Sequence, residues 1–178
     1  MAMKIFTFDE KYPGRTRLKK MTLGALFAAL AVLLSPLSVP IGPSRCFPFQ
    51  HAVNAAAGVL IGPFWACCAA FVSSFVRNAL GTGTLLAFPG SMFGAAAVGI
   101  AASRLPEKYR IWAALAEPLA TGTLGAGAAS FIASSAGARG EMFLLLSGAF
   151  LVSSVPGAVI GLCALRFQGR GPWTRDGV

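Results

Sequence analysis

From Met21 to Ser103 the chain carries no acidic residue and two fixed cations, Arg45 and Arg77, and from Met142 to Leu165 it carries no charge at all. A helix in water needs a charged face opposite its apolar one. These stretches therefore exclude a water-soluble helical domain. Composition agrees, with 56% hydrophobic residues, 12% charged residues and a mean hydropathy of +0.70. The expected fold is all-α and polytopic. The 178 residues leave room for one membrane domain over 20–166 and two short tails, 1–19 and 167–178.

At about 20 residues per crossing, spans fall near 20–37, 50–62, 63–80, 88–104, 111–135 and 142–166, which makes a six-helix bundle. Between the second and third, Gly62-Pro63 permits two outcomes. Pro63 either opens a new helix at its first position or kinks one longer helix, and two separate helices are expected.

Charge orients the bundle, because Lys and Arg near span ends stay cytoplasmic. The N-terminal segment holds Lys4, Lys11, Arg15, Arg17, Lys19 and Lys20. Arg104, Lys108 and Arg110 follow the fourth span, and Arg166, Arg170 and Arg175 follow the sixth. Arg45, Arg77 and Arg139 remain for the opposite side. Both termini are then inside a prokaryotic cell membrane, which requires an even number of spans. A cleaved signal peptide is the competing reading of the basic N-terminus and the apolar run Leu23 to Leu34, but cleavage would leave five spans and break this parity. The net charge of +9 follows from the same bias. A basic tail against anionic lipid accounts for it without nucleic acid.

The four cysteines form no metal pattern, and neither metal nor cofactor is expected. Cys67 and Cys68 are adjacent in one apolar helix and Cys163 is in another, where thiols act as small hydrophobes. Cys46 lies in a polar loop near His51. That pair resembles a nucleophile and base, but no third orienting group stands beside it.

Polar residues inside apolar spans are costly and mark function. His51 and Asn54 are three apart, so a helix puts them on one face, with Phe49 and Gln50 just before them. Amide and imidazole groups at such positions either glue helices together or bind a ligand. The run of polar and aromatic positions after a Pro-rich loop favours a ligand. Arg77 and Asn78 end the third span on the same side, and Arg77 has two readings, a ligand contact or a cation snorkelling to headgroups. Gly81-Thr82-Gly83-Thr84 lacks the lysine and the strand-to-helix setting of a phosphate loop. It reads as a tight turn with two free hydroxyls. Glu117, followed by Pro118, is the acid well inside a span and needs a partner such as His51 or Arg77. Counted from 111 at about 1.5 Å per residue, it lies nearer the inner face than the other polar groups do, as a helix lock or a ligand contact.

Gly58 and Gly62, Gly90 and Gly94, and Gly157 and Gly161 have the spacing that lets helices approach closely in lipid. Packing within the molecule explains these pairs. Gly24, Ala25, Ala28 and Ala29 form a small-residue stripe on the first helix, and it would receive a partner helix if it faced outward.

Six short helices, a basic N-terminal segment, an alanine stripe on the first helix and an aromatic first outer loop together resemble the substrate-binding S component of an energy-coupling factor (ECF) vitamin transporter. Cys46-Phe47-Pro48-Phe49-Gln50-His51 and the longer string from Arg77-Asn78-Ala79-Leu80-Gly81-Thr82-Gly83-Thr84 to Phe88-Pro89-Gly90-Ser91 look more narrowly like ThiW, the member associated with the thiazole precursor of thiamine. The resemblance covers most of 20–166. It implies a protein that binds its vitamin from outside under a lid-like first loop. Transport would then need a transmembrane coupling subunit, EcfT, and two ECF ATPases. The family's alanine motif maps onto Ala25, Ala28 and Ala29 as the partner surface. The implied ligand is hydroxyethylthiazole, a neutral aromatic ring with one ring nitrogen and one hydroxyl. Phe47, Phe49 or Phe88 would stack on it, and His51, Asn54 or Asn78 would satisfy its polar atoms. Gln50, Arg77, Thr82, Thr84, Ser91 and Glu117 complete the candidate set. With no dense cationic cluster evident on the outer side, phosphorylated compounds are expected to bind poorly.

Two alternatives stay open. The ligand is the pyrimidine precursor or thiamine itself, since stacking plus two hydrogen bonds describes all three. From another class, a small intramembrane enzyme would draw on Cys46, His51 and Glu117.

Overall fold

Pro48 and Pro63 each stand at the start of a helix, where a missing N–H costs nothing and a fixed φ is already helical. The computed structural model describes residues 13–41, 44–133 and 138–168. Over these the chain is almost entirely helical. Helix α1 is Pro13–Leu33, α2 is Pro48–Ile61, α3 is Pro63–Ala79 and α4 is Ala87–Arg104. A fifth helical run, α5, covers 107–133 in four contiguous parts: a 3₁₀ stretch Glu107–Leu115, an α turn Ala116–Ala120, a π turn Thr121–Gly125 and a final α stretch Ala126–Ala133. Helix α6, Arg139–Gln168, holds Pro156 in its interior. Between α1 and α2 lie two short antiparallel strands, β1 Val39–Ile41 and β2 Ser44–Cys46, with Val39 opposite Cys46 and Ile41 opposite Ser44.

The helices fall where the apolar runs place them, with shifted ends. α1 is already helical at Pro13, so Arg17, Lys19 and Lys20 lie on the helix, and it stops at Leu33 instead of 37. Gly62 has φ +84° and breaks the chain between α2 and α3, which are two helices. A β-carbon on Gly62 would meet nothing, but the Gly62 backbone is closely packed, since a β-carbon on Gly99 of α4 would lie 2.8 Å from the carbonyl carbon of Gly62. Its left-handed backbone is its role. The hairpin was not anticipated in an all-α chain. Lys4, Lys11, Arg170, Arg175 and the end of the expected fifth span at 134–135 lie outside the described residues.

Helix α2 is the centre of the body, packed against α1, α3, α4 and α6. Close approach comes from glycines on its neighbours and on itself. A β-carbon at Gly157 would meet the Pro48 carbonyl and His51 Cβ, one at Gly161 would meet the Ala52 carbonyl at 2.9 Å, and one at Gly58 would meet Val98 at 2.6 Å. Gly125 of α5 faces the backbone of Gly90 on α4. Small residues thus replace hydrophobic collapse as the means of holding helices together.

The distribution of polarity is inverted relative to a soluble protein. Leu26, Leu30, Phe64, Phe75, Phe131, Leu144 and Val159 are exposed, whereas Gln50, His51, Asn54, Arg77, Ser91, Glu117 and Thr121 are buried. Water would penalise that arrangement and hydrocarbon favours it. Among the described residues one helix, Arg139–Gln168, is by itself long and apolar enough to cross a membrane, with 30 residues and a mean hydropathy of 2.0 over an 18-residue window.

Candidate functional site

The chain leaves α3 through a left-handed turn that also builds a wall. Gly81, at φ +70°, lets its N–H bond the Asn78 carbonyl at 3.0 Å while the Thr82 N–H bonds the Arg77 carbonyl at 2.9 Å. The Thr82 hydroxyl donates to the same carbonyl at 3.2 Å, and Arg77 Nη2 donates back to the Thr82 carbonyl at 3.2 Å. The loop is thus closed onto Arg77, and Gly83 lies too near Arg77 Cβ and the Asn78 amide to carry a side chain freely.

This turn borders a cavity of about 600 Å³ at the end of the body where α2 and α4 begin and α3 ends. Its size is in the range of small-molecule pockets. The mouth has Arg45 and Phe47 from the hairpin side, and Thr82 and Thr84 from the α3–α4 loop. Deeper walls come from Gln50 and His51 of α2, Arg77 of α3, Ser91 of α4, Thr121 of α5, and Leu146, Phe150 and Ser153 of α6. The Phe47 N–H donates to Ser153 Oγ at 2.7 Å, which fixes the entry into α2 against α6.

Two buried networks support that floor. In the first, His51 Nδ1 is 2.6 Å from Glu117 Oε1, and the Thr121 hydroxyl lies 3.0 Å from the same oxygen and 3.1 Å from the Gly90 carbonyl. Glu117 is fully buried. With Nδ1 committed, His51 has its other ring nitrogen left for the cavity it lines. In the second, Ser91 Oγ receives Gln50 Nε2 at 2.9 Å and Asn54 Nδ2 at 2.8 Å. Two amides of α2 grip one hydroxyl of α4.

Seven of the twelve ligand candidates read from the sequence line the cavity: Phe47, Gln50, His51, Arg77, Thr82, Thr84 and Ser91. The other five stand elsewhere. Phe49 turns to a second, apolar cavity of about 420 Å³ between α1, α2 and α6. Phe88 packs edge-on against Phe71, with ring centres 5.6 Å apart. Asn54 is spent on Ser91, the glue role, and Asn78 Nδ2 is buried without a partner among the described residues. Glu117 lies behind His51, at the cavity end of the body. The depth count that put it near the inner face started at 111 and used an α-helical rise. The run starts at Glu107 and its first nine residues are 3₁₀, which advance about 2.0 Å each.

Arg77 is 1% exposed, so it does not snorkel to headgroups. Its guanidinium lies 4.2 Å from the centre of the Phe47 ring. Arg45, Thr121, Leu146, Phe150 and Ser153 line the cavity unforeseen. Cys46 is buried, is absent from the lining, and burial pushes its thiol above the ordinary value, away from thiolate. The alanine stripe splits. Gly24 and Ala28 are buried, Gly24 against Ile61 and Trp65, while Ala25 and Ala29 are exposed.

A helical body with its polar groups inside and its apolar groups outside is a membrane protein. A family model described as thiamine-precursor transporter protein (ThiW) matches residues 21–170, and the chain belongs to that family. Its substrate is thus related to thiamine, and its class is transport. No curated protein and no solved structure matches it.

Proposed function

We propose that this chain is the substrate-binding S component of an ECF transporter and captures hydroxyethylthiazole from outside the cell. The observation that carries this reading is the cavity itself, lined by the aromatic rings of Phe47 and Phe150 and by fixed polar groups on Gln50, His51 and Ser91. A small aromatic ring with two polar atoms matches that chemistry. His51 Nε2 and the loop hydroxyls of Thr82 and Thr84 are the partners for ring nitrogen and alcohol.

In this account the chain crosses the membrane six times, with tails at 1–19 and 167–178 in the cytoplasm. The cavity then opens outward, and the hairpin with Phe47 serves as its lid. Support for the orientation comes from the basic residues near the other helix ends, where Arg166 stacks on Trp112 at 4.6 Å and Lys108 lies over Tyr109. Cations and aromatic rings are at home at a membrane interface. Ala25 and Ala29, small and exposed on α1, receive the coupling subunit EcfT, and two ECF ATPases supply the energy. Mass-spectrometric identification of the compound that co-purifies with the protein tests the reading. Hydroxyethylthiazole or a derivative of its ring supports it, and a ligand unrelated to thiamine refutes it.

A further inference from the structure

Arg77 is the unbalanced group of the cavity. It is 1% exposed, and its Nη2 reaches the Thr82 carbonyl, but Nε and Nη1 are buried with no hydrogen-bond partner among the described residues. Those two atoms carry three of the five guanidinium N–H donors. The ring of Phe47 covers one face of the guanidinium. A second guanidinium, Arg45, lines the same cavity, and no carboxylate does so among the described residues. Glu117, the buried acid, holds His51 and Thr121 on Oε1, leaves Oε2 without a partner among the described residues, and is not part of the cavity lining.

A buried cation without a counter-ion, with most of its donors idle, is expensive. A carbonyl, ring nitrogen or alcohol answers one donor and leaves the charge uncompensated. An oxyanion answers several donors and the charge together, which is why guanidinium pairs so well with carboxylate and phosphate. The small residues around Arg77 leave room for such a group, because Gly81, Gly83 and Ala87 line this side of the cavity.

We propose that the cavity takes its thiamine precursor preferentially in an anionic form, as a phosphate monoester or a carboxylate whose oxygens bind Arg77, with Arg45 closing over them at the mouth. The proposal rests on the transporter reading of this cavity and deepens it. It also reverses the expectation, made from the sequence, that phosphorylated compounds bind poorly. That expectation rested on the absence of a cationic cluster, and the fold brings both arginines to one cavity.

The test is calorimetry on the purified full chain in detergent. Four titrants are used: hydroxyethylthiazole, its phosphate monoester, the corresponding thiazole carboxylic acid, and inorganic phosphate. At least one of the two organic anions should bind tenfold or more tighter than the alcohol. Whichever anion wins identifies the natural oxyanion. Inorganic phosphate should bind weakly and compete with it. In Arg77→Gln the anion's advantage should fall to threefold or less, while Arg77→Lys should keep part of it. Equal or weaker binding of both anions in the unmodified protein overturns the proposal, and this arm needs no variant to fold. An advantage that persists in a folded Arg77→Gln also overturns it.

If no thiazole binds, the same comparison is made with the pyrimidine precursor and its phosphate ester. Loss of thiazole binding alone then counts against the substrate reading, whereas equal affinity of ester and alcohol on whichever ring binds counts against the oxyanion.

Discussion

His51 Nδ1 and Glu117 Oε1 stand 2.6 Å apart between α2 and α5, and both lie in the buried interior of the helical body. The contact joins the central helix to the one segment with irregular helical geometry. It also orients the imidazole that lines the cavity. Pro118 follows Glu117, and the π turn Thr121–Gly125 begins three residues later. Such turns are common at functional sites, because they re-aim side chains without ending a helix. Here the turn sets Thr121 against the Glu117 carboxylate.

Removing Glu117 should therefore damage fold and site together. Glu117→Ala leaves His51 without its Nδ1 partner, and breaking one side of a buried pair costs about 3–5 kcal/mol. Glu117→Gln keeps a hydrogen bond to the ring and should cost less. Thermal unfolding in detergent should rank the proteins unmodified, Gln, then Ala. A stability of Glu117→Ala equal to the unmodified protein would show the contact to be incidental.

The grip of Gln50 and Asn54 on Ser91 makes a different prediction for Asn54 than its polarity alone suggests. Asn54→Leu removes one of the two amides on the Ser91 hydroxyl, and a lost intramolecular hydrogen bond costs about 0.5–1.5 kcal/mol. The loss should appear first as a lower unfolding temperature. Ligand affinity should change less than for His51→Ala, because Asn54 does not line the cavity. A larger affinity loss for Asn54→Leu than for His51→Ala would place Asn54 against the ligand after all.

Two glycines close the packing behind the site. An alanine at Gly94 would put its β-carbon 2.6 Å from Glu117 Oε1 and against the Thr121 hydroxyl, and one at Gly157 would strike the Pro48 carbonyl. Overpacking of this kind costs about 1–3 kcal/mol. Gly157→Ala should be the worse, because its obstacle is backbone. Gly148→Ala meets open space and serves as the control. Unfolding temperatures of the three variants decide the matter, and equal values would contradict the packing account.

The split stripe on α1 separates binding from coupling. Ala25→Trp and Ala29→Trp enlarge an exposed face and should leave ligand affinity unchanged while reducing recovery of the coupling subunit from membranes. Ala28→Trp enlarges a buried position and should destabilise the isolated protein instead. Normal recovery of the coupling subunit with both exposed variants would remove this face as the docking surface.

These residues show how far the sequence can be read. The start of α3 was visible because proline marks it at Pro63, and its end was visible in Gly81. Polar residues in apolar surroundings pointed to His51 and Arg77 because burial gives each a job. What failed was direction and depth. Phe49 and Gln50 are neighbours in sequence but about 100° apart on a helix, so one lines the polar cavity and the other the apolar one. The 3₁₀ start of α5 moved Glu117 toward the cavity end, and no residue pattern announced it. The α6 wall of Leu146, Phe150 and Ser153 was hidden because the stretch from Met142 to Leu165 is apolar on every side. The pairing of Val39–Ile41 with Ser44–Cys46 is too short to carry a periodic signal.

The central claim is that this cavity binds a thiamine precursor built on the thiazole ring. Its most direct test is calorimetric titration of the purified, ligand-free chain with hydroxyethylthiazole and its anionic derivatives, repeated on His51→Ala. The account predicts saturable binding at one site, with the best of these ligands tighter than about 1 µM, near 8 kcal/mol, and at least tenfold weaker in His51→Ala. Absence of saturable binding by every thiazole compound, or full affinity in a folded His51→Ala, would contradict it.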